Sequence, residues 1–185
     1  MSEYEKEYPD TTPEQRQRIM DYFGPTDLPA LHALAQKFTI CDHWYSSVPG
    51  PTWTNRFFAY TGTSKGIIDM PKTVLDTDLY WRYDQDTIFD RLYDKRIPWR
   101  VYFGDVPNSL VLRHQQEPDK ALHYRFMDSF ASDVQGPEND FPSFSLIEPN
   151  YMIGEQNDDH PSHSTMRAQR LLAHVYNTLR KREDL

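Results

Sequence analysis

Short apolar runs of strand length, alternating with amphipathic helical stretches, predict an α/β layered fold: a mainly parallel central sheet flanked by helices. Residues 98–103 and 144–147 are brief runs rich in aromatic and branched apolar side chains. Residues 86–96 and 164–180 instead repeat their apolar side chains at helical spacing. Strand-like and helix-like runs take turns along the chain, the order that builds parallel rather than meandering sheets.

Taken in order, residues 1–27 are a polar lead-in with one short helical run over 13–23. Over 28–37, Leu28, Leu31, Leu34 and Ala35 recur at the spacing of an amphipathic helix. Residues 38–41 read as a short buried strand that places Cys41 in the interior as an inert thiol. A Pro/Gly turn follows, and Pro51 opens a helix over 51–60, an entry that proline favours. In 86–96, Ile88, Phe89 and Leu92 fall on one helical face. Residues 106–133 read as a mixed, largely helical insertion with no assignable chemistry. The strand at 144–147 is closed by Glu148-Pro149. The helix over 164–180 has the strongest signal, with Leu171, Leu172, Val175, Tyr176 and Leu179 on one stripe and basic residues at its end. Residues 28–185 thus form one domain behind the lead-in.

Composition narrows the function. At 185 residues the chain can bury a real core, and 38% hydrophobic residues exclude a chain disordered by composition. A net charge of −8 argues against nucleic acid and anionic membrane surfaces as bulk partners. A site for phosphate would then need local positive charge from a metal or a few placed Arg, Lys and His side chains. One cysteine excludes an internal disulfide and a thiolate zinc site. No run approaches the roughly 20 apolar residues of a membrane span, and the opening residues are too polar for a signal peptide.

The segment 40–66 is the richest in chemistry. A hydroxyl at a strand-to-helix turn, Thr52, faces free backbone N–H groups and the positive end of a helix dipole, which suits an oxyanion or phosphoryl group. The competing reading makes Thr52 a helix cap. Asn55, one turn on, shares its face. Arg56 lies about 100° around the helix from Asn55 and reads as the partner of a surface acid. Trp44, Tyr45, Trp53, Phe57 and Phe58 flank the turn, either as a wall for a lipid or aryl group or as core. Ser46 and Ser47 lack the Gly-x-Ser-x-Gly elbow of a serine hydrolase. Further on, Asn157-Asp158-Asp159-His160-Pro161 could hold a metal or set His160 on a phosphoryl oxygen, although such a run is more often a turn and helix-cap segment. Glu148 ends a strand, where α/β folds place their sites, or forms a structural ion pair. The remaining histidines, His163 among them, receive no role.

These pieces carry a resemblance. Cys41-Asp42-His43-Trp44, Ser46-Ser47-Val48-Pro49-Gly50-Pro51-Thr52-Trp53-Thr54-Asn55-Arg56 and Gly62-Thr63-Ser64-Lys65-Gly66 resemble the signature of the bacterial phosphoesterases that include phospholipases C and the acid phosphatase A group, a branch of the alkaline phosphatase superfamily. Tyr83-Asp84-Gln85-Asp86-Thr87-Ile88-Phe89-Asp90, Trp99-Arg100-Val101-Tyr102-Phe103-Gly104-Asp105, Ile147-Glu148-Pro149 and Asn157-Asp158-Asp159-His160-Pro161 continue it in the family's order.

The resemblance implies a phosphoric ester hydrolase with an alkaline-phosphatase-like fold, acting on a phosphate monoester or a phospholipid. Thr52 is its implied nucleophile, activated as an alkoxide by a divalent metal of open identity. Asn55 is implied as a phosphoryl-oxygen donor and His160 as a pocket acid or hydrogen-bond donor. The resemblance leaves Glu148 open between lining the pocket and a structural salt bridge, and Asp158 and Asp159 open between metal ligands and residues that support the ligands. Two motifs of the family's metal cage, of the Glu-Asn-Arg-Ser/Phe and Tyr-Asp-Glu-His-Gly-Gly types, do not occur in the chain. The expectation is therefore an interior fragment, impaired in turnover, whose uncovered surface invites oligomers or aggregates. Family members are often exported, which the polar opening does not match. The alternative is a non-catalytic remnant that binds phosphate-like anions or a partner.

Overall fold

Strand β1, Trp99–Phe103, is the centre of a three-stranded sheet ordered β2-β1-β3, with β2 at Tyr124–Phe126 and β3 at Phe144–Glu148. The computed structural model describes residues 6–69, 83–137 and 140–182. Both pairings are parallel, with Val101 opposite Tyr124 on one side and Leu146 on the other. A central parallel strand is covered on both faces and must be apolar on both. Trp99, Val101 and Tyr102 meet that demand and are buried.

The described residues hold six helices: α1 (Pro13–Arg18), α2 (Pro29–Lys37), α3 (Thr52–Thr61), α4 (Ile88–Asp94), α5 (Phe130–Val134) and α6 (Thr165–Leu179). Local chemistry sets several boundaries. Thr12 and Gln15 cap α1 reciprocally, and Thr87 and Asp90 do the same for α4. Gly62 ends α3 at a φ of 74°, a left-handed conformation that glycine adopts without a Cβ penalty.

Three apolar clusters hold the layers. Trp53 and Phe57 of α3 pack with Tyr83 and Leu112. Phe89 of α4 packs on Trp99 and Val101 of β1. Tyr102 packs with Phe130 and Val134 of α5 and reaches Val175 and Leu179 of α6. Those of these side chains that are fully buried contribute about 1.5–3 kcal/mol each relative to exposure, whereas Val175 and Leu179 are partly buried.

The segment 38–41 departs from the strand expected there. Phe38 terminates α2 and sets its ring edge-on to Tyr176 at 5.9 Å, so the chain turns outward instead of joining the sheet. Phe38 and Ile40 are exposed, and so is Cys41, which is an accessible thiol and not a buried one. Trp44 and Tyr45 are exposed too, whereas Trp53 and Phe57 are core. The first helix stops at Arg18, five residues short of the expected run, and Ile88 lies on the exposed side of α4. The insertion expected to be helical holds 3-10 turns, strand β2 and α5. Three residues, Tyr124–Phe126, are too few for a period-2 signal.

The strands end level: Phe103 stands opposite both Phe126 and Glu148. From β1 the chain moves to one edge of the sheet and then crosses to the other, so its carboxyl edge between β1 and β3 is the switch point where α/β folds form crevices. Gly104 sits there and donates to the Glu148 carbonyl at 3.0 Å. A Cβ on Gly104 would stand 1.6 Å from Asn150 Oδ1, so only glycine fits.

Candidate functional site

The turn before α3 is wrapped around one side chain. Asn55 Nδ2 donates to the carbonyls of Val48, Gly50 and Pro51 at 3.1–3.2 Å, while its Oδ1 accepts from the Val48 N–H at 3.2 Å. The amide expected to meet a phosphoryl oxygen is therefore engaged in shaping the turn. Thr52, the first residue of α3, is exposed, and its hydroxyl has no partner among the described residues. Pro51 holds the cap position, so Thr52 does not cap the helix. The leading N–H groups of a helix lack intrahelical acceptors, and here they lie beside this hydroxyl.

One turn on, Arg56 leaves the surface. Its Nη2 donates to Tyr151 Oη at 3.1 Å and its Nη1 to Tyr60 Oη at 3.3 Å, with Glu148 Oε2 3.7 Å away. The acid it meets is interior, not the surface partner expected: Glu148 is 1% exposed. Glu148 also accepts from the backbone N–H of Asn108 (2.9 Å) and Ser109 (3.0 Å) and from Tyr151 Oη (3.0 Å). Burial, and then the Glu148 carboxylate, push the Tyr151 phenol above its ordinary range, so Tyr151 remains a donor. Of the two readings open for Glu148, the structure displays the ion pair.

Asp105, just past β1, accepts from the N–H groups of Tyr151, Met152 and Ile153 at 2.6–2.9 Å. Burial opposes its ionisation, but these bonds prevail and lower its pKa. Beyond, Asn150 and Asn157 bond each other, Asn150 N–H to Asn157 Oδ1 at 2.7 Å and Asn157 N–H to the Asn150 carbonyl at 3.1 Å. This closes a loop and sets Asp158 at its mouth.

Asp158 Oδ1 meets His163 Nδ1 at 2.7 Å and the His160 N–H at 3.4 Å. His160 is exposed and donates from Nδ1 to the Pro161 carbonyl at 2.6 Å, which leaves its Nε2 open. Asp159 is exposed, with a φ of 60°. Among the described residues no hydrogen bond joins His160 to Thr52 or Asn55.

Asp158 and Asp159, ligands expected in this chain, do not join a three-ligand group of His, Cys, Asp and Glu side chains among the described residues. Asp86, Asp90 and His114 do, with ligand atoms within 4.8 Å of one another. Their chemistry does not suit a cation. Asp90 already takes Lys120 Nζ at 2.5 Å, His114 Nδ1 at 3.0 Å and the Thr87 N–H and hydroxyl at 2.8 Å, and Asp86 takes Arg91 at 2.7 Å. The Lys120 ammonium supplies there the charge an ion would bring.

The sequence reading passed over Tyr151, Asp105, His163 and Lys120. The Thr87-x-x-Asp90 spacing was the one available local signal, a capping box that gathers His114 and Lys120. Tyr151 meets Arg56 across 95 positions and Asp105 across 46, whereas His163 meets Asp158 five residues away inside a loop without periodic pattern.

A family model described as "Phosphoesterase family" matches residues 3–185. Non-specific phospholipase C6 of Arabidopsis thaliana is 35% identical over 166 residues, covering 88% of this chain and 31% of the relative. Non-hemolytic phospholipase C of Pseudomonas aeruginosa is 35% identical over 107 residues, 51% of this chain and 16% of the relative. Phospholipase C B of Mycobacterium tuberculosis is 27% identical over 161 residues, 74% and 30% respectively. The chain thus spans about a third of the length of the plant relatives it matches.

Proposed function

The chain belongs to the phosphoesterase family, and from that premise we propose that it hydrolyses phosphoric ester bonds of a phospholipid or a phosphate monoester, with Thr52 as nucleophile. The observation that supports this is an exposed Thr52 hydroxyl, with no partner among the described residues, at the N-terminus of α3 and within the span that the family model matches. The names of the relatives, phospholipases C of plants and bacteria, support a phospholipid with a diacylglycerol leaving group.

In the first step Thr52 Oγ1 attacks phosphorus, the bond from phosphorus to the leaving oxygen breaks, and that oxygen takes a proton. Water then attacks the phospho-threonine, releasing the phosphate product and returning a proton to Oγ1. The N-terminal N–H groups and dipole of α3 favour the added negative charge. Asn55 acts by holding the turn, and His160, in its doubly protonated form, offers the leaving oxygen a proton from Nε2. A divalent metal, when bound, would lower the pKa of the Thr52 hydroxyl.

The test is hydrolysis of an aryl phosphate and of a short-chain phosphatidylcholine by the 185-residue chain, with and without divalent metals. Activity lost in Thr52→Ala and retained in Thr52→Ser supports the enzyme. A second reading, anion binding without turnover, draws on the engaged amide of Asn55 and the ill-suited Asp86, Asp90 and His114 group. Phosphate bound but no ester cleaved with any metal would favour it.

A further inference from the structure

We propose that Arg56 is a positioning residue that joins the two candidate segments of the site, fastening the helix that carries Thr52 to the loop that carries His160. The inference rests on the phosphoesterase reading and deepens it. Thr52 and Arg56 stand four residues apart on one face of α3, so whatever fixes the Arg56 guanidinium fixes the rotation and depth of the helix at Thr52. What fixes it is the carboxyl edge of the sheet. Glu148, held by two backbone N–H groups, is immobile, and Tyr151 bridges it to Arg56 through Oη at 3.0 and 3.1 Å.

The same tyrosine begins the loop. Its N–H is bound by Asp105, and the neighbouring Asn150 closes on Asn157, immediately before Asp158. A path of hydrogen bonds and intervening peptide links therefore runs from α3 through Arg56, Tyr151 and the Asn150–Asn157 clasp to Asp158 and the His160 N–H. Most of the Arg56 side chain is buried, and a planar fork suits this junction as a lysine ammonium would not. Tyr151 covers its face as well, with the guanidinium carbon 5.6 Å from the ring centre.

The experiment is a titration of the isotope-labelled 185-residue protein with inorganic phosphate, following the Thr52 amide and the His160 imidazole by NMR. In the unaltered chain both signals are expected to saturate with one shared Kd. Arg56→Lys should weaken that Kd about tenfold and separate the two titrations. Tyr151→Phe, which keeps the ring and removes only the bridging hydroxyl, should do the same and guards against a misfolded Arg56 variant. A merely structural role would lower the melting temperature of both variants and leave the shared Kd in place, which overturns the proposal. Separate Kd values in the unaltered chain, or no response to phosphate, overturn it too. Failure of the phosphoesterase reading shows elsewhere, as absence of Thr52-dependent ester cleavage.

Discussion

Removing the Glu148 carboxylate is the sharpest perturbation of this fold. The side chain is 1% exposed and serves four groups: the N–H of Asn108, the N–H of Ser109, the Tyr151 hydroxyl and the Arg56 guanidinium. Glu148→Ala strands them together. Each orphaned buried donor costs about 1–3 kcal/mol, and breaking a buried ion pair by deleting one member costs about 3–5 kcal/mol. These losses overlap, since one group serves all four, so the net expectation is about 3–5 kcal/mol. Domains of ordinary stability hold about 5–15 kcal/mol in all, which makes this a large share. Glu148→Gln keeps an acceptor oxygen but not the charge, and should lose about 2–3 kcal/mol. Urea unfolding followed by circular dichroism measures both. With a slope of about 2 kcal/mol per molar urea, the Ala midpoint should fall by about 2 M and the Gln midpoint by about 1 M. An Ala midpoint within about 0.5 M of the unaltered protein would refute the reasoning, because the carboxylate would then not be satisfying what surrounds it.

Other outcomes follow from the same geometry. Thr52→Ala removes an exposed hydroxyl with no partner among the described residues, so its unfolding free energy should match the unaltered protein within about 0.5 kcal/mol even as any esterase activity disappears. Gly104→Ala drives a Cβ into Asn150 and should destabilise by about 1–3 kcal/mol or more, read in the same unfolding experiment; a neutral result would mean the Asn150 loop yields freely. Asp90 and Asp105 have lowered pKa values, burial opposing and their hydrogen bonds prevailing. A carboxylate depressed in the folded state contributes fully above its unfolded pKa of about 3.9 and loses that contribution as pH falls through the folded value. Stability should therefore drop most steeply below about pH 4, and an unchanged urea midpoint between pH 5 and pH 3 would contradict this. Cys41 is exposed, so a disulfide reagent should titrate its thiol in the native protein at the rate seen in urea.

The contrast between segments 38–41 and 144–148 shows where local pattern stops being informative. Both are short apolar runs, yet β3 pairs with β1 over five residues while Phe38 turns onto Tyr176 and leaves Ile40 and Cys41 outside. A four-residue run has too few positions to declare a partner, and the partner decides. Asn55 teaches the same about chemistry: helical spacing placed it beside Thr52, but only the folded turn reveals that three carbonyls claim its amide.

What the sequence by itself determined is the alternation of elements, the helices at Thr52–Thr61 and Thr165–Leu179, the strands at Trp99–Phe103 and Phe144–Glu148, and membership of the phosphoesterase family. These rest on periodicity, caps and motif order, all local properties of the chain. The tertiary structure decided the parallel order β2-β1-β3, the burial of Glu148 and the junction of Arg56 with Tyr151, 95 residues away. Such contacts form because a buried charge must find a partner wherever the packed layers place one. No spacing along the chain encodes that requirement.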